Sequence, residues 1–322
     1  MATIIAELCQ NHNGDKELLR NMIHAAADAG ADYVKVQSML ASEITYRERF
    51  EEGIVDENGV QQVIKRSYQA EVDRLAPMDL TDSGFEWFVD ECRSVGVEPM
   101  TTIFTRQRIP FLSNLGMKAV KVASYDCGAH PLIQDLKDNF EHLVISTGAS
   151  YNQEIEKTAE ILSGTNYDFL HCVTIYPTPM NELHLNRMNY LRQFTPSVGF
   201  SDHSLVESDG IDASILALGQ GASVIERHFT IQGPKDSRDG PVSINPEQMR
   251  QLVEFGQMST EEIMDYVGKN VPTWEVGLGQ EQRELSPAEL LNRDYYRGRF
   301  ASMVDGKPVY NWEENWKLEE II

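Results

Sequence analysis

Short β-branched apolar runs alternate with longer amphipathic stretches about eight times between Thr3 and His228, and this alternation fixes the fold class. The runs are Thr3–Cys9, Asp32–Gln37, Val97–Phe104, Ala119–Ser124, His142–Thr147, Tyr167–Val173, Ser197–Ser201 and Ser223–His228. Helical patterns fall between them, as at Asp15–Ala29, Asp82–Val95, Asn152–Ser163 and Leu205–Leu218. Gly30, Gly96, Gly116, Gly164 and Gly221 follow helical patterns, where C-terminal caps favour glycine. Repeated strand–helix units predict an α/β chain folded as a parallel (β/α)8, or TIM, barrel. A doubly wound sheet would usually bring a glycine-rich phosphate loop, and the sequence has neither GxGxxG nor a P-loop.

Two segments depart from the repeat. Ser38–Asp79 is long for a strand–helix loop and predicts a charged excursion over the catalytic face, with a helix near Gln61–Asp73. Residues 270–322, with Trp312 and Trp316, predict a tail packing on the barrel or on a partner subunit. Residues 1–269 are then the catalytic domain. A chain of 322 residues with 41% hydrophobic content can bury a large core. Its net charge of −22 argues against nonspecific nucleic-acid binding, which needs a basic surface. No apolar run approaches the roughly 20 residues of a membrane span. Met1–Ala6 lacks the basic and long apolar regions of a signal peptide. Cys9, Cys92, Cys127 and Cys172 form no CxxC pair, which predicts reduced, buried thiols in a cytoplasmic protein.

Barrel enzymes carry their chemistry at the C-terminal ends of the strands. Here those ends bring Glu7, Lys35 with Gln37, Thr102, Lys121 with Ser124, Ser146 with Gly148, Ser201, and finally His203 and His228. Two imidazoles at adjacent strand ends can hold one divalent metal and leave positions open for a substrate; singly, each can equally be an ordinary histidine at a loop start. Two lysines and three serines beside them suit a phosphorylated or carboxylated anion, with Gly148 letting backbone approach a phosphate.

These motifs closely resemble the N-acetylneuraminate synthase (sialic acid synthase) family. The matching residues are Ala6-Glu7 with Asn11-His12-Asn13-Gly14-Asp15, Val34-Lys35-Val36-Gln37, Lys121-Val122-Ala123-Ser124 and Ser146-Thr147-Gly148. Leu170-His171-Cys172 with Tyr176-Pro177-Thr178-Pro179, Gly199-Phe200-Ser201-Asp202-His203 and Ile225-Glu226-Arg227-His228-Phe229-Thr230 complete the set. The resemblance implies condensation of phosphoenolpyruvate with the open-chain aldehyde of a hexose such as N-acetylmannosamine, giving a nonulosonic acid and phosphate. It implies that His203 and His228 hold a divalent ion of the Mn2+ type, with Mg2+ or Co2+ as alternatives. It implies phosphoenolpyruvate contacts from Lys35, Thr102, Lys121, Ser124, Ser146 and Ser201. Gln37, Phe104, Asp126, Tyr176 and Asp239 would border the sugar. Glu7, Lys35, Lys121 and Tyr176 would be catalytic, with Glu7 or a metal-bound water serving the addition of water at C2. A homodimer is implied as well.

The match has departures. Ile103 stands where the family usually has proline, Asp126 where glutamate is frequent, and Thr174 where an amide or serine often precedes Ile-Tyr-Pro. The family's N-terminal hairpin and its C-terminal antifreeze-like domain, which presents an arginine to the partner's sugar site, find no counterpart in the pattern. Arg47, Arg49, Lys65 and Arg66 of the excursion are expected to close the sugar end instead. A 3-deoxy-octulosonate or heptulosonate phosphate synthase is the alternative, with Arg106, Arg108, Lys235 and Arg238 as a second phosphate site. A noncatalytic barrel is a third reading. A metal hydrolase would need a His-x-His pair that Asn11-His12-Asn13 does not supply.

Overall fold

The computed structural model describes residues 1–311. Its centre is a closed parallel barrel of β1 (Thr3–Glu7), β2 (Tyr33–Ser38), β3 (Glu98–Ile103), β4 (Val120–Val122), β5 (His142–Ser146), β6 (Asn166–Cys172), β7 (Val198–Asp202) and β8 (Val224–His228). Each strand pairs with the next in sequence, and β8 closes on β1 with Glu7 opposite His228. The sequence-based strands agree with these bounds to within two residues at every end. The expected glycine caps also hold, since Gly30, Gly96, Gly116, Gly164 and Gly221 all have positive φ.

Alternation along the strands sorts side chains into layers. Outward residues such as Ile4, Ala6, Val34, Val36, Ile145, Phe169 and Ile225 join one large core with the surrounding helices. Inward, Ile5, Met100, Ala119, Val144, Leu170 and Val224 pack with Tyr33 as an apolar plug. Gly199 takes the β7 place in that layer, where a Cβ would lie 2.1 Å from the Val224 carbonyl oxygen. Two residues further along each strand, the same inward parity gives Glu7, Lys35, Thr102, Lys121, Ser146, Cys172, Ser201 and Glu226, all buried. The barrel therefore has an apolar floor with a polar ring above it.

The excursion differs from its sequence reading. Of the helix expected near Gln61–Asp73, only the part from Tyr68 onward is helical; it runs Tyr68–Leu75, capped by Ser67. Gln61–Val63 instead forms a hairpin with Ile54–Val55. The intervening turn explains this: the Asp56 carboxylate accepts from the amides of Asn58 and Val60 at 2.9 Å, and Gly59 takes φ +79. The helix expected over Leu205–Leu218 is broken into Val206–Asp209 and Asp212–Gly219 at Gly210, φ +53.

The C-terminal part packs on the barrel as far as the described residues go. Helix Pro287–Tyr296 joins the barrel rim through Asn292, whose side chain donates to the Thr174 carbonyl at 2.8 Å. Arg293 reaches Glu154 at 2.6 Å. Apolar clusters tie this part to the excursion: Phe300 packs with Met39, Ile44 and Leu75, and Tyr295 with Phe50 and Val63. Trp312 and Trp316 lie outside the described residues.

One outward-facing pair fixes the last two strand ends. Arg227 and Asp202 are fully buried and meet at 2.5 Å. Asp202 also accepts from Ser214 Oγ at 2.5 Å and the Ser204 amide at 2.8 Å. Arg227 donates to Ser204 Oγ at 3.0 Å and the Gly210 carbonyl at 3.2 Å. Each partner directly precedes a histidine of the rim. Truncating one partner leaves a buried charge alone, so Arg227→Ala is expected to lower unfolding free energy by about 3–5 kcal/mol, read from urea melts. A loss below about 1 kcal/mol would contradict the role assigned to this pair.

Candidate active site

A cavity of about 510 Å³ opens above the polar ring, at the C-terminal ends of the strands. Its floor is charged on both sides. Lys35 contacts the Glu7 carboxylate, donates to Thr102 Oγ1 at 2.9 Å and lies 3.7 Å from Glu226. Lys121 donates to Ser146 Oγ at 2.7 Å and the Val122 carbonyl at 2.8 Å, and lies 3.9 Å from Glu226. Burial lowers the Lys35 pKa to about 8, with Glu226 opposing the shift and Lys121 adding to it. Burial would raise the Glu226 carboxyl, but Lys121 and Lys35 outweigh it and hold the group below its ordinary range. The ring is thus two ammonium groups balanced by two carboxylates.

The glutamates differ in what their oxygens do. Glu7 Oε1 accepts from the Cys9 amide at 2.6 Å, and Oε2 contacts Lys35. Glu226 Oε1 accepts from Ser201 Oγ at 3.1 Å, whereas its Oε2 is buried without a hydrogen-bond partner. That oxygen faces both ammonium groups, 3.7 Å from Lys35 and 3.9 Å from Lys121. Glu226 was not among the site residues expected from sequence, although its inward parity with His228 was visible there.

Above the ring stand the histidines, ring centroids 5.4 Å apart. His203 Nδ1 lies 3.2 Å from the Val173 carbonyl oxygen, which can only accept, so the proton sits on Nδ1 and Nε2 keeps its lone pair. Burial, and then His228, push the His203 pKa down to about 3, leaving the ring neutral. His228 Nδ1 is buried with no hydrogen-bond partner. Cys9, His228 and Asp239 bring donor atoms within 4.8 Å of one another. Neutral imidazole, an orphaned ring nitrogen, a carboxylate and a thiol fit a divalent ion. Tyr176 lies over His203 with centroids 4.1 Å apart.

Of the residues expected from sequence, Glu7, Lys35, Gln37, Thr102, Phe104, Lys121, Ser124, Ser146, Tyr176, Ser201, His203, His228 and Asp239 all line this cavity. Asp126 does not. The turn Ser124–Asp126 carries it into a small adjoining cavity of about 30 Å³ against Tyr296 and Phe300, where burial raises its pKa to about 7. At Gly148 a Cβ would meet Thr174 Cγ2 at 2.7 Å and Ser124 Oγ at 2.9 Å. The Asn11–Asp15 motif is architectural. Asn11 donates to the Phe229 carbonyl at 3.0 Å and to Ser243 Oγ at 2.9 Å, and Asp15 caps helix Lys16–Asp28.

The cavity wall contains residues the sequence reading missed. Arg74 comes from the excursion helix, and Asn292, Tyr296 and Arg299 come from the C-terminal part. Of the four excursion cations expected there, only Arg66 lines the cavity. Arg47 is spent on backbone carbonyls, including Tyr295 at 2.7 Å; Arg49 pairs with Asp294 and Lys65 with Glu52. Arg106 and Arg108 are likewise held elsewhere, by Asp135 at 2.5 Å and Asp82 at 2.6 Å.

A family model described as "NeuB family" matches residues 22–267. The chain belongs to the NeuB family. The N,N'-diacetyllegionaminic acid synthase of Legionella pneumophila is 32% identical over 259 residues, 78% of this chain and 70% of that protein. The pseudaminic acid synthase of Campylobacter jejuni (strain 81-176) is 27% identical over 318 residues, 98% of this chain and 85% of that protein. The crystal structure of N-acetylneuraminic acid synthetase from Leptospira borgpetersenii superposes with a TM-score of 0.68 at 26% identity, covering 91% of this chain and 90% of that one. Family members are transferases that condense phosphoenolpyruvate with sugars, and the chain is an enzyme of that class.

Removing the charge of Lys121 leaves Ser146 without its charged neighbour. Lys121→Ala is expected to raise the KM for phosphoenolpyruvate about 10–100-fold, the worth of one charged hydrogen bond. Steady-state kinetics with KM and kcat both unchanged would remove Lys121 from the site.

Proposed function

We propose that this NeuB-family enzyme condenses phosphoenolpyruvate with the open-chain aldehyde of a hexose such as N-acetylmannosamine, giving a nine-carbon nonulosonic acid and inorganic phosphate. The observation that carries this is the stacking of a lysine- and serine-bearing ring beneath two neutral histidines in one cavity. Lys35 and Lys121, with Thr102, Ser124, Ser146 and Ser201, hold the phosphate and carboxylate. Gln37, Phe104, Tyr176 and Asp239 border the sugar. A divalent ion held by His203 and His228 supplies Lewis acidity to the aldehyde oxygen.

The reaction consumes one water. A carbon–carbon bond forms between C3 of phosphoenolpyruvate and the aldehyde carbon, water adds at C2, and phosphate leaves. Lys35 and Lys121 keep the reacting anion in register with the aldehyde above it. Glu7 takes the proton of the water that adds at C2, while Glu226 holds Lys35 and Lys121 in place from 3.7 and 3.9 Å. Contacts with Lys35 and with the Cys9 amide fix where the Glu7 carboxylate stands.

A second reading of the acceptor has its own support. Arg66, Arg74 and Arg299 line the cavity and share one carboxylate, Glu71, at 3.6, 2.9 and 2.7 Å. Two positive charges are left over, which suits a sugar carrying its own phosphate. The N-acetylneuraminate-9-phosphate synthase of Drosophila melanogaster is 30% identical over 255 residues.

The test is loss of phosphoenolpyruvate absorbance with manganese and matched aldoses, each free and 6-phosphorylated. Consumption with a free N-acyl hexosamine supports the first reading. Consumption with its 6-phosphate alone supports the second. No consumption with any aldose would sink the condensation itself.

A further inference from the structure

We propose that Cys9 is a thiolate ligand of the divalent ion, joining His228 and Asp239, with His203 offering Nε2 beside them. This extends the metal reading above and rests on it. Cys9 lies in the turn that follows β1, two residues beyond Glu7, and lines the cavity. Its backbone takes φ +45, a left-handed conformation that favours glycine. The amide is held there by Glu7 Oε1 at 2.6 Å. A residue with a side chain in that conformation needs a reason, and the thiol supplies one: its sulfur lies within 4.8 Å of donor atoms on both His228 and Asp239. Donors that share an ion at metal–ligand distances of about 2.0–2.3 Å stand no more than about 4.6 Å apart, so only a small adjustment is needed.

Two independent features point the cluster at a cation. His228 is 7% exposed, and its Nδ1 has no hydrogen-bond partner. The Asp239 segment is fixed from behind, its amide donating to Asn11 Oδ1 at 3.3 Å and its carbonyl accepting from Ser243 Oγ at 2.7 Å. On ligation the sulfur–hydrogen bond gives way to a sulfur–metal bond, and the proton leaves to solvent. A thiolate favours softer ions, so the site selects Zn2+, Fe2+ or Co2+ over the Mn2+ expected from resemblance. It also becomes open to oxidation at sulfur.

The experiment titrates the full-length protein with Co2+ and follows the near-ultraviolet band of thiolate-to-cobalt charge transfer, with Zn2+ affinity measured by chelator competition. The band is expected in the parent and absent in Cys9→Ser and Cys9→Ala. Zn2+ affinity should fall at least about tenfold in both variants, while Mn2+ affinity changes less than about threefold. A measurement on the parent protein alone keeps the test independent of variant folding: Zn2+ should protect Cys9 from alkylation, read by peptide mass. A band kept in Cys9→Ser but lost in Cys172→Ser would assign the sulfur to the other cavity cysteine and overturn the proposal. Unprotected Cys9 in the zinc-loaded parent would also overturn it. A parent that binds no divalent ion would defeat the metal reading itself.

Discussion

Two lysines and two glutamates share one buried ring of the barrel, and neither pair is tolerable there without the other. An unpaired ion at that depth is penalised by several kcal/mol even after relaxation. Glu7 and Glu226 remove most of that penalty for Lys35 and Lys121, and the hydroxyls of Thr102, Ser146 and Ser201 occupy part of the remaining hydrogen-bonding capacity. The ring sits on an apolar plug that admits no charge, so its side chains reach upward into the cavity. A cluster stable in isolation is in this way preorganised for an anion, with little reorganisation needed when it arrives.

An arriving phosphate and carboxylate upset the balance of the ring. The groups left to restore it lie higher up: the metal-fitted set around His203 and His228, and the guanidiniums of Arg66, Arg74 and Arg299. This vertical order matters in a chain of net charge −22, whose overall field opposes anions. Attraction must come from inside the cavity. The excursion and the C-terminal part supply its outer cations, and their packing on each other through Phe300, Leu75, Tyr295 and Phe50 fixes where those cations stand.

The barrel was legible in the sequence because each strand announces itself twice, by β-branched composition and by the helix that follows. The inward residues of the ring were legible because period-two alternation carries Lys35, Lys121 and the serines to strand ends. Alternation alone could not reveal that Glu226 sits between the two lysines, so Glu226 was seen on its strand yet left out of the site. Arg74, Tyr296 and Arg299 were hidden for another reason: they reach the cavity through tertiary packing of nonrepeating segments, which leaves no local period. Asp126 was misplaced because a single tight turn decides which of two adjoining cavities it enters. The hairpin in the excursion was missed because Gln61–Val63, its second strand, was read as the start of the helix near Gln61–Asp73.

The most direct measurement of the central claim is a crystal structure of the enzyme with phosphoenolpyruvate and a divalent ion. The charge-balanced ring predicts the ligand on the barrel floor, with its anionic oxygens within hydrogen-bond reach of Lys35, Lys121 and Ser146 and the ion above it at His203 and His228. Phosphoenolpyruvate bound instead at Arg66, Arg74 and Arg299, with the two lysines still closed on Glu7 and Glu226, would contradict the account.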